Sequence, residues 1–327
     1  MTAQNNAPLP EGLEIAGYRI VKKIASGGFS IVYLAYDSEG SAVAIKEYLP
    51  SALALRQAGE LVPNISKPNQ PLFRIGLKCF FEEGRALARI VHPNVVRILN
   101  FFRAHDTVYM VMAYESGHSL QEHIGRAAGK GKRLNENFVR LVFDGVCRGL
   151  REVHANKLLH LDLKPANIYL RSDGSPILLD FGAARQAIKN DAPMLAPMYT
   201  PGFAPPELYS KSTPFGPWSD IYSLGASMFS CMTGAPPQSA DTRKGDDKLP
   251  ILFDALATAY SPALVAIVRA CLALDPMARP QSVFAVQKSL QALPAVPNKP
   301  APPAVAPTGL RGLLSRLGGR TRARDGS

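Results

Sequence analysis

The sequence predicts an α+β chain: a small strand-rich lobe followed by a larger, mainly helical one. Three observations predict it. Between Tyr18 and Glu115 most apolar runs are short, rich in β-branched and aromatic residues, and broken by glycine or polar turns, as strands are. One run there, "FFEEGRALARIV", has helical spacing instead. After "ESG" the periodicity changes, and from Asp220 onward helical runs dominate.

Taken in order, residues 1–17 read as a loose lead-in. "YRIVKKIA", "SIVYLAYD" and "SAVAIKEYL" read as strands, with "SEG" as the turn before the third. Residues 50–78, with prolines at 63, 68 and 71, read as an irregular connection of unusual length. "FFEEGRALARIV" then forms a helix ended by "HPN", and "VVRILNFFRAH" and "TVYMVMAYE" give two more strands. Helices are expected over 119–128 and 135–156, separated by "GKGKR", and again over 219–232, 251–258, 262–273 and 281–291. Short apolar runs lie at 158–160, 168–170 and 177–179, and the lobes join near 113–117. The core pattern stops near Leu293. Residues 294–308 are a Pro/Ala-rich linker that cannot be helical, and 309–327 form a basic tail. Leu310, Leu313, Leu314 and Leu317 share one helical face there. That suits a weak membrane-surface or docking helix, but so short a helix is marginal alone, so a disordered tail is favoured.

Bulk composition narrows the function classes. The 327 residues are 46% hydrophobic, enough for a sizeable core. The net charge of +11 includes five arginines in the tail, but no zinc-finger spacing or basic recognition helix accompanies it, so a nucleic-acid partner is not expected. Four scattered cysteines form no CxxC pair, the start resembles no signal peptide, and no run of 18 apolar residues occurs. A cytoplasmic protein without a transmembrane span is the expectation.

Four stretches carry chemistry. In "ASGGFSIVY", small residues Ala25, Ser26, Gly27 and Gly28 between two strands permit a tight loop whose amides approach phosphates, although a plain hairpin needs no more. In "VAIKEY", alternation puts Ala44 and Lys46 on one strand face and Val43 and Ile45 on the other. Alone, Lys46 fits either a surface lysine or one facing an enclosed anion, and Glu82 and Glu83 both offer it a carboxylate. "LLHLDLKPANIYL" sets Asp162, Lys164 and Asn167 in an apolar run, and "ILLDFG" ends one with Asp180. Asp162 suits a hydroxyl proton, Lys164 a phosphoryl charge, and Asn167 and Asp180 with Asp162 a Mg²⁺ ion. His160 reads as a satisfied structural histidine. Phosphoryl transfer needs this inventory: a phosphate clamp, a metal and a carboxylate beside the incoming hydroxyl.

In the order "ASGGFSIVY", "VAIK", "HLDLKPAN", "DFG", "PPE", "SDIYSLG", "DPMARP", residues 18–293 resemble a eukaryotic-type (Hanks-type) serine/threonine protein kinase domain. "KEYLPSALALR" resembles a proteobacterial group of these kinases. The resemblance implies a two-lobed fold. Its N-lobe, about 18–113, would hold an antiparallel sheet and one main helix; its C-lobe, about 117–293, would be mainly helical. It implies ATP and Mg²⁺ as cofactors, with Mn²⁺ a possible substitute, and protein substrates with Ser/Thr acceptors. The glycine-rich loop becomes Ala25, Ser26, Gly27, Gly28, Phe29 and Ser30, with Val32 and Ala44 lining the nucleotide pocket. Lys46 pairs with the α/β-phosphates and Glu83, rather than Glu82, pairs with Lys46. Met112 gates the adenine pocket, and Ala113, Tyr114 and Glu115 form the hinge. Asp162 resembles the catalytic Asp and Lys164 the γ-phosphate lysine. Asn167 and Asp180 resemble the metal ligands, and Thr200 the threonine that supports the catalytic loop. Glu207 and Arg279 match a buried structural pair.

Departures from the family pattern are informative. Ala25 and Ser30 replace two of three loop glycines, and Pro205 replaces the alanine of "APE". The long connection and the basic tail have no family role and are open to a regulatory protein. Leu161 stands where many kinases carry an arginine that reads a phosphate on the activation segment, and residues 183–198 contain no Ser, Thr or Tyr. Receiver and signal are missing together, so activity independent of phosphorylation there is expected. The alternative function is a pseudokinase-like scaffold, which would typically have lost Lys46, Asp162 or Asp180.

Overall fold

The computed structural model describes residues 6–181, 199–210 and 213–295. Activation-segment residues 183–198 and the 309–327 tail, on which two sequence expectations rest, lie outside them. The small lobe is one antiparallel sheet of β1 (Glu14–Ile15), β2 (Tyr18–Ser26), β3 (Ser30–Tyr36), β4 (Ala42–Tyr48), β5 (Ile98–Ala104) and β6 (Thr107–Ala113), in the order β1-β2-β3-β4-β6-β5. Asp37 makes the "SEG" turn: its Oδ1 accepts from the amides of Glu39 and Ser41 at 3.0 and 2.8 Å, and Gly40 takes φ +81°.

One helix, α1 (Gln70–Leu87), packs on this sheet. It starts ten residues before the expected "FFEEGRALARIV" helix and ends at Leu87 rather than running to Val91, so the irregular connection is 50–69, not 50–78. Pro71 misled the reading, because proline is acceptable in a first helical turn, where its missing N–H has no intrahelical partner to lose. Gly84 lets α1 lie close against the sheet: a Cβ there would overlap the side chains of Phe101 and Met110. Tyr48 sits between Phe73 and Phe80 of α1, at ring separations of 5.2 and 5.6 Å, and ties β4 to the helix.

The large lobe holds α2 (Leu120–Gly129), α3 (Glu136–Ala155), α4 (Pro217–Thr233), α5 (Ala240–Arg243), α6 (Leu249–Leu256), α7 (Pro262–Cys271) and α8 (Val283–Gln291) among the described residues. Helix α2 starts in a capping box between Ser119 and Glu122. A small antiparallel sheet, β7 (Gly117–Ser119), β8 (Ile168–Arg171) and β9 (Pro176–Leu178), lies at the lobe junction. The expected apolar run 158–160 belongs to no strand. Asn94 of "HPN" crosses the junction: its Nδ2 donates to the Pro176 carbonyl at 2.6 Å, while its own carbonyl accepts from Leu178. Arg171 adds a two-pronged bond to Glu115 at 2.6 and 2.8 Å and donates to the Pro93 carbonyl. The fold is therefore two-lobed, with an antiparallel N-lobe sheet, one main N-lobe helix and a mainly helical C-lobe. No helix of the described residues is long and apolar enough to cross a membrane.

Candidate active site

A cavity of about 220 Å³ opens between the lobes. Its roof is the β2–β3 turn, where Ala25, Ser26, Gly27, Gly28, Phe29 and Ser30 arch over the opening and Val32 follows on β3. The Gly27 amide donates to the Ser30 carbonyl at 2.9 Å and closes the arch. Lys46 reaches the cavity from β4, and Glu83 from α1. The ambiguity between adjacent glutamates is resolved by helical geometry: Glu83 is buried and lines the cavity, whereas Glu82 turns outward to an exposed Arg85 at 2.7 Å. Lys46 Nζ lies 2.7 Å from Asp180 Oδ1 and 5.6 Å from the Phe80 ring.

The floor comes from two loops of the large lobe. Lys164 Nζ donates to both Asp162 oxygens at 3.2 and 3.0 Å and to Thr200 Oγ1 at 2.9 Å. A cation thus bridges the 160–167 loop and the segment before "GFAPPE". Asn167 Nδ2 donates to the Asp162 carbonyl and carboxylate at 2.8 and 3.0 Å, and to the Asp180 carbonyl at 3.3 Å. With the amide nitrogen so occupied, the amide oxygen is the atom Asn167 offers a cation. Asp180 is partly exposed and has φ +47°, a left-handed backbone rare for a non-glycine residue. No group of three His, Cys, Asp or Glu side chains suited to a metal occurs among the described residues. The donor set instead fits Mg²⁺, which takes one or two carboxylates and fills its shell with phosphate and water.

Beneath this floor, Asp220 on α4 fixes the loop. It accepts from His154 Nε2 at 2.7 Å and from the backbone amides of His160 and Leu161 at 2.8 and 2.7 Å. Burial acts to raise the Asp220 carboxyl, but these donors outweigh it and hold the group below its usual range. The amide bond also holds Leu161 at φ +58°. Leu161 is buried, and with Leu163, Phe203, Ala204 and Leu208 it surrounds a void of about 10 Å³.

His160 corrects an expectation. It is fully buried, but neither ring nitrogen has a hydrogen-bond partner among the described residues, so it is not the satisfied histidine read from sequence. Its ring stacks on Phe181 at 4.4 Å, and burial lowers its pKa. Deeper in the large lobe, Arg279 donates to both oxygens of Glu207 at 2.8 and 3.0 Å, and both side chains are fully buried.

Not every sequence-selected residue reaches this cavity. Met112 pairs with Ala44 across β4 and β6, and Ala113, Tyr114 and Glu115 follow directly, but none of these five lines it. They sit at the lobe junction, with Glu115 engaged by Arg171. Tyr48, Phe80 and Phe181 line the cavity without having been selected. Phe181 follows Asp180 directly, and Phe80 lies three residues before Glu83, so helical spacing was the available signal.

Comparison with known proteins agrees with this geometry. The family described as protein kinase domain (Pkinase) matches residues 18–291. The solved structure "PpkA-294 apo form" is 34% identical with a TM-score of 0.78, over 86% of this chain and 99% of that one. The PknI kinase domain of Mycobacterium tuberculosis, 21% identical with a TM-score of 0.62 over 87% and 99% of the two chains, shares the fold. Serine/threonine-protein kinase PknA of Nostoc sp. is 26% identical over 84% of this chain and 47% of its own length. Mouse serine/threonine-protein kinase Nek3 is 32% identical over 62% and 39%. The chain spans about half or less of the length of these last two relatives.

Proposed function

Because the chain belongs to the protein kinase domain family, we propose that it transfers the γ-phosphoryl group of Mg-ATP to Ser/Thr hydroxyls of protein substrates, without needing a phosphate on residues 183–198. The observation that carries this reading is the bonded set Asp162–Lys164–Thr200–Asn167 facing Lys46 and Asp180 across one cavity.

In this reading Asp162 accepts a hydrogen bond from the acceptor hydroxyl and orients it for attack. Lys164, already anchored on Asp162 and Thr200, stands where charge grows on the transferred group. Lys46, steered by Glu83, clamps the α/β-phosphates, while the 25–30 arch covers them with backbone amides. Asn167 and Asp180 hold the metal; Mg²⁺, or Mn²⁺ in its place, offsets phosphate charge when bound. Val32, Ala44, Met112 and the 113–115 hinge frame the adenine. Thr200 and "DLKPAN" favour Ser/Thr over Tyr as acceptor, and "KEYLPSALALR" favours a proteobacterial clade. The connection after β4 and the basic tail are candidate contacts for a regulatory protein.

The test is ³²P transfer from ATP to candidate lysate proteins, with labelled residues located. Asp162→Ala is expected to lower transfer by roughly 10²–10⁴-fold while ATP binding stays measurable. Asp180→Ala should weaken Mg-ATP binding as well. Wild type stripped of phosphate is expected to keep its rate; activity appearing only after modification of 183–198 would refute that part. No Mg²⁺-dependent transfer by wild type, with partner binding intact in both variants, would favour a scaffold.

A further inference from the structure

The connection after β4 is not a passive loop, because its two ends are tied to opposite sides of the cavity roof. Strand β4 formally ends at Tyr48, but its ladder continues. The Leu49 amide donates to the Phe29 carbonyl at 2.8 Å, and the Ser51 amide donates to the Gly28 carbonyl at 3.0 Å. The tip of the arch that lines the cavity is therefore paired. At the other end, Asn69 Nδ2 donates to the Leu53 carbonyl at 3.3 Å, directly before α1, which carries Glu83 and Phe80. A bridge between Leu55 and Asn64 closes the loop between these ends.

A buried ion pair locks this connection to the sheet. Arg56 donates to Glu47 Oε1 and Oε2 at 2.5 and 2.7 Å, and both side chains are shut off from solvent. Tyr33 and Tyr109 hydroxyls donate to the same carboxylate at 2.7 and 2.8 Å, and Arg56 Nε donates to the Ala7 carbonyl of the lead-in at 2.9 Å. Glu47 neighbours Lys46, so the lock sits one residue from the cavity lysine, on the opposite face of the strand.

We propose that residues 49–69 form a built-in brace, with Ser51 and Arg56 as positioning residues: the brace holds the 25–30 arch and the start of α1 in place before any nucleotide arrives. This rests on the reading of the cavity as an ATP site. It supplies from within the N-lobe an ordering that a phosphate signal would otherwise have to provide.

Ser51→Pro tests it cleanly. Ser51 occupies the first inner position of a turn closed by the Leu53 amide on the Pro50 carbonyl, a position proline favours. The substitution therefore removes the amide to Gly28 and leaves the turn intact. Hydrogen exchange of the unliganded full chain is expected to quicken at residues 27–30 with thermal stability unchanged. The KM for ATP is expected to rise about threefold to tenfold with little change in kcat, as for one lost hydrogen bond. Ser51→Ala keeps the amide and is expected to stay near wild type. Unchanged exchange at 27–30 in Ser51→Pro overturns the brace, as does an Ala variant equally impaired. Exchange needs no nucleotide, so it decides the brace even if wild type fails to bind Mg-ATP, the result that would instead remove the ATP reading.

Discussion

Two arginine–glutamate pairs are fully shut off from solvent, one in each lobe, and they do different work. Glu207–Arg279 joins segments 72 residues apart, and Arg279 also donates to the carbonyls of Trp218, Ala273 and Leu274. Glu47–Arg56 spans nine residues and ties one connection to its own strand. The first holds a lobe together; the second shapes one wall of a cleft. Similar chemistry at different sequence separation thus gives global stability in one lobe and local order in the other.

The comparison can be broken in four ways. Arg279→Met strands a buried carboxylate and three carbonyls, and should cost about 3–5 kcal/mol in denaturant unfolding, with KM for ATP unchanged in the protein that still folds. Arg56→Met should fall at or below the lower end of that range, about 3 kcal/mol, because the connection can open locally and let water reach Glu47. It should also raise KM for ATP. Equal losses with no change in KM would mean that the two pairs serve the same purpose.

His160 supplies the contrast of a buried polar group without a partner. Its folded pKa lies below the ordinary 6.5, mainly through burial, against the opposing pull of Asp220, Asp162 and Asp180. The unfolded chain therefore takes up a proton that the folded one resists, and stability present above pH 6.5 declines as pH falls below it. His160→Leu should flatten that part of the decline, with His92 and His123, also lowered by burial, carrying the remainder. An unchanged slope between pH 7 and 5 in thermal melts would remove His160 from the account. The smallest effect belongs to the exposed Glu82–Arg85 pair: Glu82→Ala should shift stability by no more than about 0.5 kcal/mol.

These cases also mark what could be read from sequence. Strand alternation and ordered motifs were enough for the two lobes and for Asp162, Lys164, Asn167 and Asp180, because backbone periodicity and local spacing decide them. The start of α1 was hidden by Pro71, whose effect depends on whether it falls in the first turn or later. Arg56 was hidden for another reason. An arginine after "SALAL" looks like a surface residue until the chain folds back on Glu47, and a contact made through an irregular connection leaves no periodic trace. His160 was rightly placed inside, but hydrogen-bond satisfaction depends on neighbours that no spacing rule supplies.

Leu161 has a consequence of a different kind. Its apolar contacts with Phe203 and Leu208 join the catalytic loop to the segment around "GFAPPE" without any charge at that position. A charged latch would answer to ionic strength and to phosphatases. An apolar one answers to temperature, because burial of hydrocarbon stabilises less as water cools. Cold, rather than salt, is then the condition under which this joint should loosen first.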